Sequence, residues 1–215
     1  MKLIKLLAII MLTAWFIFSS GCREKASEEV DHGSFSGSVY RNDYFGMTIT
    51  IPSDWSIQDS KSMQAVMDLG KKVIDKDDKN LKAVMEASKF QTVNLFAVFQ
   101  HPLGSSVPFN PNLICMAERV RHMPGIKRGK DYHFHTRKLL GSSLNVKFPK
   151  EIYTETFGGV EFDVLYSETN FGTILAKQKQ YAAIMKGYAL IIVTTFADDD
   201  QDAALNKILK TLDFN

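Results

Sequence analysis

The chain has little cysteine, little proline and no excess of charge of either sign. Its 215 residues include only two cysteines and six prolines, which excludes a disulfide-stapled scaffold and a collagen-like or proline-rich chain. Lysine and arginine number 26 against 24 aspartates and glutamates, a balance that is not typical of nucleic-acid-binding proteins. With 45% hydrophobic residues, the composition is that of an ordinary globular domain.

The N-terminal segment has the pattern of an export signal. Lys2 and Lys5 precede an apolar run at positions 6–18 that only Thr13 interrupts. This run of about 13 residues is shorter than the roughly 20 that a membrane-spanning helix needs. Small residues at positions 19–21 then precede Cys22. We therefore predict a signal peptide at residues 1–21; the alternative is a short N-terminal membrane anchor.

The junction Ser19-Ser20-Gly21-Cys22 resembles the signal of bacterial lipoproteins, in which the cysteine becomes the lipidated first residue, although Ser19 stands where an aliphatic residue is usual. The resemblance implies that Cys22 carries two acyl chains, which suffice for stable membrane anchoring. Residues 22–38 are charged and lack periodicity, which predicts a flexible tether. Arg23 follows Cys22, and by resemblance to lipoprotein sorting signals this favours the outer membrane if the host has one.

Residues 39–215 are predicted to form one α+β domain. The pattern predicts an antiparallel sheet of six to eight strands covered by helices, with tight turns at Gly158-Gly159 and Lys186-Gly187. Strands are predicted at 39–40, 47–51, 92–100, 112–120, 151–156, 160–168, 175–185 and 188–196. Helices are predicted at 60–75, from 81 to about 88, at 129–142, and after Asp198.

Three motifs together resemble the PsbP-like fold. They are Tyr40-x-Asn42-x-x-Phe45-Gly46-Met47 with Pro52-x-x-Trp55, then Gly158-Gly159-Val160-Glu161-Phe162, and finally Tyr188-Ala189-Leu190 leading into a C-terminal helix. Among proteins of this fold, the chain resembles the exported bacterial members, the DcrB-like envelope proteins. The resemblance implies a binding or assembly module, and it carries no catalytic residues over to this chain.

The residues that could carry chemistry point to structural roles. Cys115 lies in an apolar segment, which predicts a buried, inert thiol. His133 and His135 diverge by about 200° on a helix, so we predict two partly exposed polar residues and no metal site. The run Asp198–Asp200 predicts a helix cap rather than a calcium site. We therefore predict no cofactor and no catalytic set; an enzyme remains an alternative if His101 or His122 meets a carboxylate.

Basic residues concentrate between positions 119 and 138, where one acid, Asp131, accompanies seven lysines and arginines. A cluster of this kind could face anionic lipid headgroups or an acidic protein partner, and the alternative is an ordinary solvated face. The candidates that we single out as a binding surface are Arg119, Arg121, Lys127, Arg128 and Lys130.

Three aromatic residues, Tyr44, Phe45 and Trp55, are predicted to be exposed beside a loop at 107–111, where they could line a small-ligand pocket. The function predicted first is a non-enzymatic, lipid-anchored envelope protein that binds a protein partner or assists an envelope complex. A small-ligand-binding lipoprotein is the second prediction, and an enzyme is the third.

Overall fold

The structure, a computed structural model, describes residues 30–59, 62–63, 92–143 and 146–215. The predicted signal peptide, Cys22 and nearly all of the helices predicted at 60–75 and 81–88 lie outside these residues. None of the described helices is both long and apolar enough to cross a membrane.

Twelve strands and two helices make up the described part of the chain. The helices are α1 (Gly129–Ser143) and α2 (Asp199–Leu209). The strands are β1 (Ser34–Ser36), β2 (Val39–Asn42), β3 (Met47–Thr50), β4 (Ser56–Asp59), β5 (Thr92–Phe99), β6 (Asn112–Arg119), β7 (Val146–Lys147), β8 (Tyr153–Phe157), β9 (Val160–Asn170), β10 (Leu175–Met185), β11 (Tyr188–Phe196) and β12 (Asp213–Phe214).

Eight strands form the main sheet, in the order β4-β5-β6-β11-β10-β9-β7, with β8 also paired to β9. All of its pairs are antiparallel, and two of them are tight hairpins: a two-residue turn joins β10 to β11, and Gly158-Gly159 joins β8 to β9. Lys186 and Gly187 have φ of 50° and 83°, which the twist of a tight hairpin requires. The predicted α+β class and the sheet of six to eight antiparallel strands are confirmed.

A second, four-stranded sheet has the order β1-β2-β3-β12, and the sequence did not predict it as separate. β1 also lies inside the predicted tether, and Val30 is only 4% exposed. The Tyr40 hydroxyl donates to the His32 carbonyl at 2.7 Å, and the Asn42 amide donates to the Asp31 carbonyl at 2.6 Å. These bonds hold the segment before β1 on the domain, so the tether prediction of 22–38 extends too far.

The main sheet is covered on both faces. One face packs against the four-stranded sheet and α2 through a core that includes Phe96, Phe162 and Tyr181. The other face carries a second core that includes Ile114 and Tyr132, and here α1 contacts β9 and β10. Since both faces are covered, all nine residues of β11 are buried. The prediction that the strand at 92–100 is covered on two sides is confirmed, because Leu95–Phe99 are buried without alternation.

Candidate functional site

The five basic candidates gather near one end of the main sheet. We call Arg119, Arg121, Lys127, Arg128 and Lys130 the basic surface. β6 ends at Arg119, which is paired with Tyr188 at the start of β11. Except for Arg119, which is half-buried, the residues of this surface are exposed.

The basic surface is tied to its surroundings by a few polar contacts. The Arg121 guanidinium donates to the Lys186 carbonyl at 3.0 Å, which brings the exposed Lys186 to the same end of the sheet. Arg128 lies 3.4 Å from the Asp163 carboxylate. Asp131 accepts hydrogen bonds from the backbone N–H groups of Lys127 and Arg128 at 3.0 and 2.9 Å. Although slight burial opposes the shift, these bonds hold the pKa of Asp131 below its ordinary value. Two carboxylates therefore offset part of the positive charge.

The described chain enters the domain at this same end. His32 Nδ1 lies 3.3 Å from the carbonyl oxygen of Asn94, near the start of β5. β5 begins at Thr92, which is paired with Glu118 near the end of β6. The entry point and the basic surface therefore share one end of the sheet, a relationship that no local sequence pattern predicts.

The aromatic candidates do not form an exposed patch. Phe45 and Trp55 are 2% and 8% exposed, so the prediction that they are exposed is wrong. Both join the core between the two sheets: Phe45 lies in the β2–β3 turn, which folds over the main sheet, and Trp55 lies in the connection from β3 to β4. Tyr44 is half-buried; its ring packs edge-on against Tyr188, with ring centroids 5.7 Å apart, and its hydroxyl donates to the Lys186 carbonyl at 3.2 Å. Tyr44 and Phe45 therefore pack against the β10–β11 turn, because both rings lie edge-on to Tyr188.

The two histidines of α1 differ in burial, which the sequence did not predict. His133 is fully buried, so the prediction that it is partly exposed is wrong; His135 is half-buried. The reason is that α1 packs on β9 and β10, which places His133 Nε2 2.9 Å from the Asp163 carbonyl oxygen. Burial lowers the pKa of His133 to about 4, against the opposing effect of Asp163. Within the described ranges, no group of three or more His, Cys, Asp or Glu is arranged to hold a metal.

The remaining candidates, Cys115, Asp198 and His101, occupy places where they support the fold. Cys115 is fully buried, and burial raises the pKa of its thiol. Asp198 caps α2, because its carboxylate accepts the Gln201 backbone N–H at 2.9 Å; the predicted cap is confirmed. His101 is bonded through its backbone N–H and carbonyl to the side chain of Asn110, at 2.9 and 2.8 Å.

A cleft of about 380 Å³ lies toward the opposite end of β9, β10 and β11. We call it the lysine–tyrosine cleft. The sequence does not predict it, because its residues come from four strands, one helix and a loop that only the folded sheet brings together. Its lining residues are Lys150, Tyr153, Tyr166, Lys177, Lys179, Phe196, Asp199 and Asp202.

The floor of the cleft is ordered by an ion pair. Lys179 Nζ lies 2.8 and 2.7 Å from the two carboxylate oxygens of Asp202, and the two side chains are 11% and 22% exposed. Lys179 is paired in the sheet with Tyr166, whose hydroxyl donates to Glu168 at 2.9 Å. The cleft is therefore a formed feature of the fold, with its floor fixed before any ligand arrives.

Comparisons with known proteins give structural similarity only. No protein-family model and no curated protein sequence matches the chain. A cyanobacterial PsbP, CyanoP from Synechocystis sp. PCC 6803, is similar at 9% identity and a TM-score of 0.47, over 85% of this chain and 96% of that one.

Two further solved structures are also similar. LpqN, involved in cell envelope biogenesis of Mycobacterium tuberculosis, has 14% identity and a TM-score of 0.44, over 79% of this chain and 83% of that one. The protein PA94 from Pseudomonas aeruginosa, of unknown function, has 16% identity and a TM-score of 0.40, over 51% of this chain and 76% of that one. At these identities and TM-scores, the matches do not assign a family or an activity to this chain.

Proposed function

We propose that this chain is an exported, lipid-anchored and non-catalytic binding protein of the bacterial cell envelope, with a PsbP-like domain that binds an envelope protein. The observation that carries the proposal is the junction Ser19-Ser20-Gly21-Cys22 after a short apolar run, since this pattern supplies both the export signal and the lipidated cysteine.

The position of the basic surface supports a role close to the membrane. Eight residue steps separate Cys22 from Val30, where the described domain begins, and a chain of that length spans at most about 30 Å. Because the chain enters the domain at the basic end, a lipid on Cys22 keeps the basic surface within reach of the bilayer and of proteins embedded in it. The proposed partner therefore presents an acidic patch near the membrane.

The first test is intact-mass analysis of the protein from its native membrane, alongside Cys22→Ala. We expect a diacylglyceryl mass on a wild-type chain that starts at Cys22, and release of the variant from the membrane fraction. An unmodified chain that starts near Cys22 contradicts the anchor, and an uncleaved chain shows that residues 6–18 are themselves the anchor.

The second test concerns the partner. A photo-crosslinking residue is placed at Lys127 in the full chain in intact cells, with the same residue at the exposed Lys210 as the control. We expect a discrete protein adduct at position 127 that decreases as salt rises, and none at position 210, because exposed charge contacts are screened. Equal adducts at both positions, or lipid adducts alone, contradict binding of a protein by the basic surface.

A further inference from the structure

We propose that the lysine–tyrosine cleft binds a small aromatic carboxylate, that is, a single negative charge joined to a flat apolar ring. The proposal rests neither on the lipid anchor nor on the basic surface, which lies toward the other end of the sheet. It rests on the charge of the cleft, its aromatic lining and its size.

The charges in the cleft leave a positive excess at its mouth. Of the three lysines, Lys179 is neutralised by its two short contacts with Asp202. Lys177, 25% exposed, lies 3.6 Å from the fully exposed Asp199, and solvent around Asp199 weakens this pair. Glu168 stands opposite Lys177 in the sheet, but it accepts the Tyr166 hydroxyl and makes no ion pair with Lys177 within 4.0 Å. Lys150 makes no ion pair with any residue that the structure describes. An incoming anion therefore finds two lysines available.

One wall can present an aromatic face once Lys150 moves away from it. Tyr166 and Phe196 are 6% and 2% exposed, and Tyr153 is half-buried beside them. The Lys150 ammonium lies 4.5 Å from the centre of the Tyr166 ring. Since this ammonium sits on a flexible four-carbon stem, it can leave the ring and pair with a carboxylate, exposing the ring for stacking.

Other classes of ligand fit the cleft less well. A cationic ligand would seek the faces of Tyr166 and Phe196, but Lys150 and Lys179 lie over these rings, at 4.5 and 5.5 Å. A phosphate dianion would face the two aspartates of the lining, and no arginine fork is among the lining residues to hold it. The lining itself holds three lysines and two aspartates, an excess that suits one negative charge rather than two, since Glu168 lies just outside it beside Tyr166. Its volume of about 380 Å³ lies within the range of small-molecule pockets.

The test compares three probes with the same ring and different charges: indole-3-acetate, indole and tryptamine. Each is dialysed to equilibrium against the full chain in phosphatidylcholine nanodiscs, with empty nanodiscs as the blank. We expect saturable binding of indole-3-acetate with a Kd of about 1 mM or tighter. We expect weaker binding of indole, weaker still of tryptamine, and a loss of affinity for the anion as salt rises.

Substitutions then locate the binding. Lys150→Gln and Lys177→Gln should each lower the affinity for indole-3-acetate by roughly two- to fivefold, the contribution of an exposed ion pair. Lys138→Gln changes an exposed residue of α1, which lies on the other face of the sheet; it is the matched control and should leave the affinity unchanged. Binding that is absent, equal for the anion and the cation, or indifferent to both cleft substitutions overturns the proposal. Thermal unfolding of each variant establishes that it remains folded.

Discussion

The hydroxyl of Tyr132 donates a hydrogen bond to a carboxylate oxygen of Glu118 at 2.6 Å, and both side chains are fully buried. The bond joins α1 to β6 across the core of one sheet face. A buried carboxylate needs such a partner, because its transfer out of water is costly unless hydrogen bonds replace the lost hydration. Burial, and then Glu118, raise the pKa of Tyr132 well above its ordinary value, so the phenol keeps its proton and remains the donor.

Tyr132→Phe should therefore lower the free energy of unfolding by about 1–3 kcal/mol, since it removes the donor and leaves the buried acceptor. The matched control is Tyr166→Phe, which removes a hydroxyl that donates to the half-buried Glu168 at 2.9 Å. Water can replace that bond, so the control should lose less. Urea unfolding measures both, and equal losses would show that the buried bond has no special role.

The burial of His133 predicts a pH dependence of stability. Its pKa is about 4 in the folded state against an ordinary value of 6.5, so the unfolded state binds more protons between these values. The contribution to stability is complete above pH 6.5 and is lost as the pH falls through 4, by up to about 3 kcal/mol.

Urea unfolding at a series of pH values tests this dependence. His133→Gln should flatten the profile between pH 6.5 and 4, whereas His135→Gln, which changes a half-buried neighbour, should keep the wild-type shape. If the wild-type and His133→Gln profiles run parallel through this window, His133 is not the titrating group.

At Gly129, the first residue of α1, the backbone of the helix lies very close to the backbone of β10. A Cβ at this position would overlap the carbonyl oxygen of Ala182 and lie 3.0 Å from Asp163 Cβ. Gly129→Ala should destabilise the domain by at least about 2 kcal/mol, because the backbone of one of the two elements must move. Gly125→Ala is the control, since nothing lies within 4 Å of its added Cβ. Thermal unfolding of the two variants should separate them clearly, and similar midpoints would contradict the close packing of α1.

The ion pair in the floor of the cleft predicts an asymmetry between two aspartates. Asp202→Asn leaves the largely buried Lys179 without its counter-charge and should cost about 1–2 kcal/mol of stability. Asp199→Asn, which changes a fully exposed partner of Lys177, should have no measurable effect on unfolding. Equal effects on the urea midpoint would indicate that solvent already screens the Lys179–Asp202 pair.

The sequence predicts correctly those features of the fold that are determined by residues close together in the chain. The Lys186-Gly187 turn and the Asp198 cap act through residues close in sequence, and both were predicted correctly. The burial of Phe45 and Trp55 depends instead on the second sheet, which β12 completes only after α2, so the aromatic residues themselves carry no sign of it. The burial of His133 likewise depends on the packing of α1 on β9 and β10, which residues close to it in sequence do not reveal.

The candidate sites show the same limit. The concentration of basic residues is visible in the sequence because they lie within a single stretch of the chain, and their role as a binding surface stays a prediction. The sequence did not predict the lysine–tyrosine cleft, in which Lys179 meets Asp202 through the pairing of β10 with β11 and the return of α2. Polar residues such as Glu118 and Lys179 have no local pattern that distinguishes a buried pair from a solvated charge.

The central place of β11 affects how the chain must fold during synthesis. β6 is complete at Arg119, but the strand that pairs with its open edge starts only at Tyr188. Until then the half-sheet ending in the largely apolar β6 and the half-sheet built on β9 and β10 each present an unpaired strand edge, which is a template for association with other chains. Ribosomes that stall before residue 188 should therefore release products that aggregate, because the last long strand joins the two halves of the sheet.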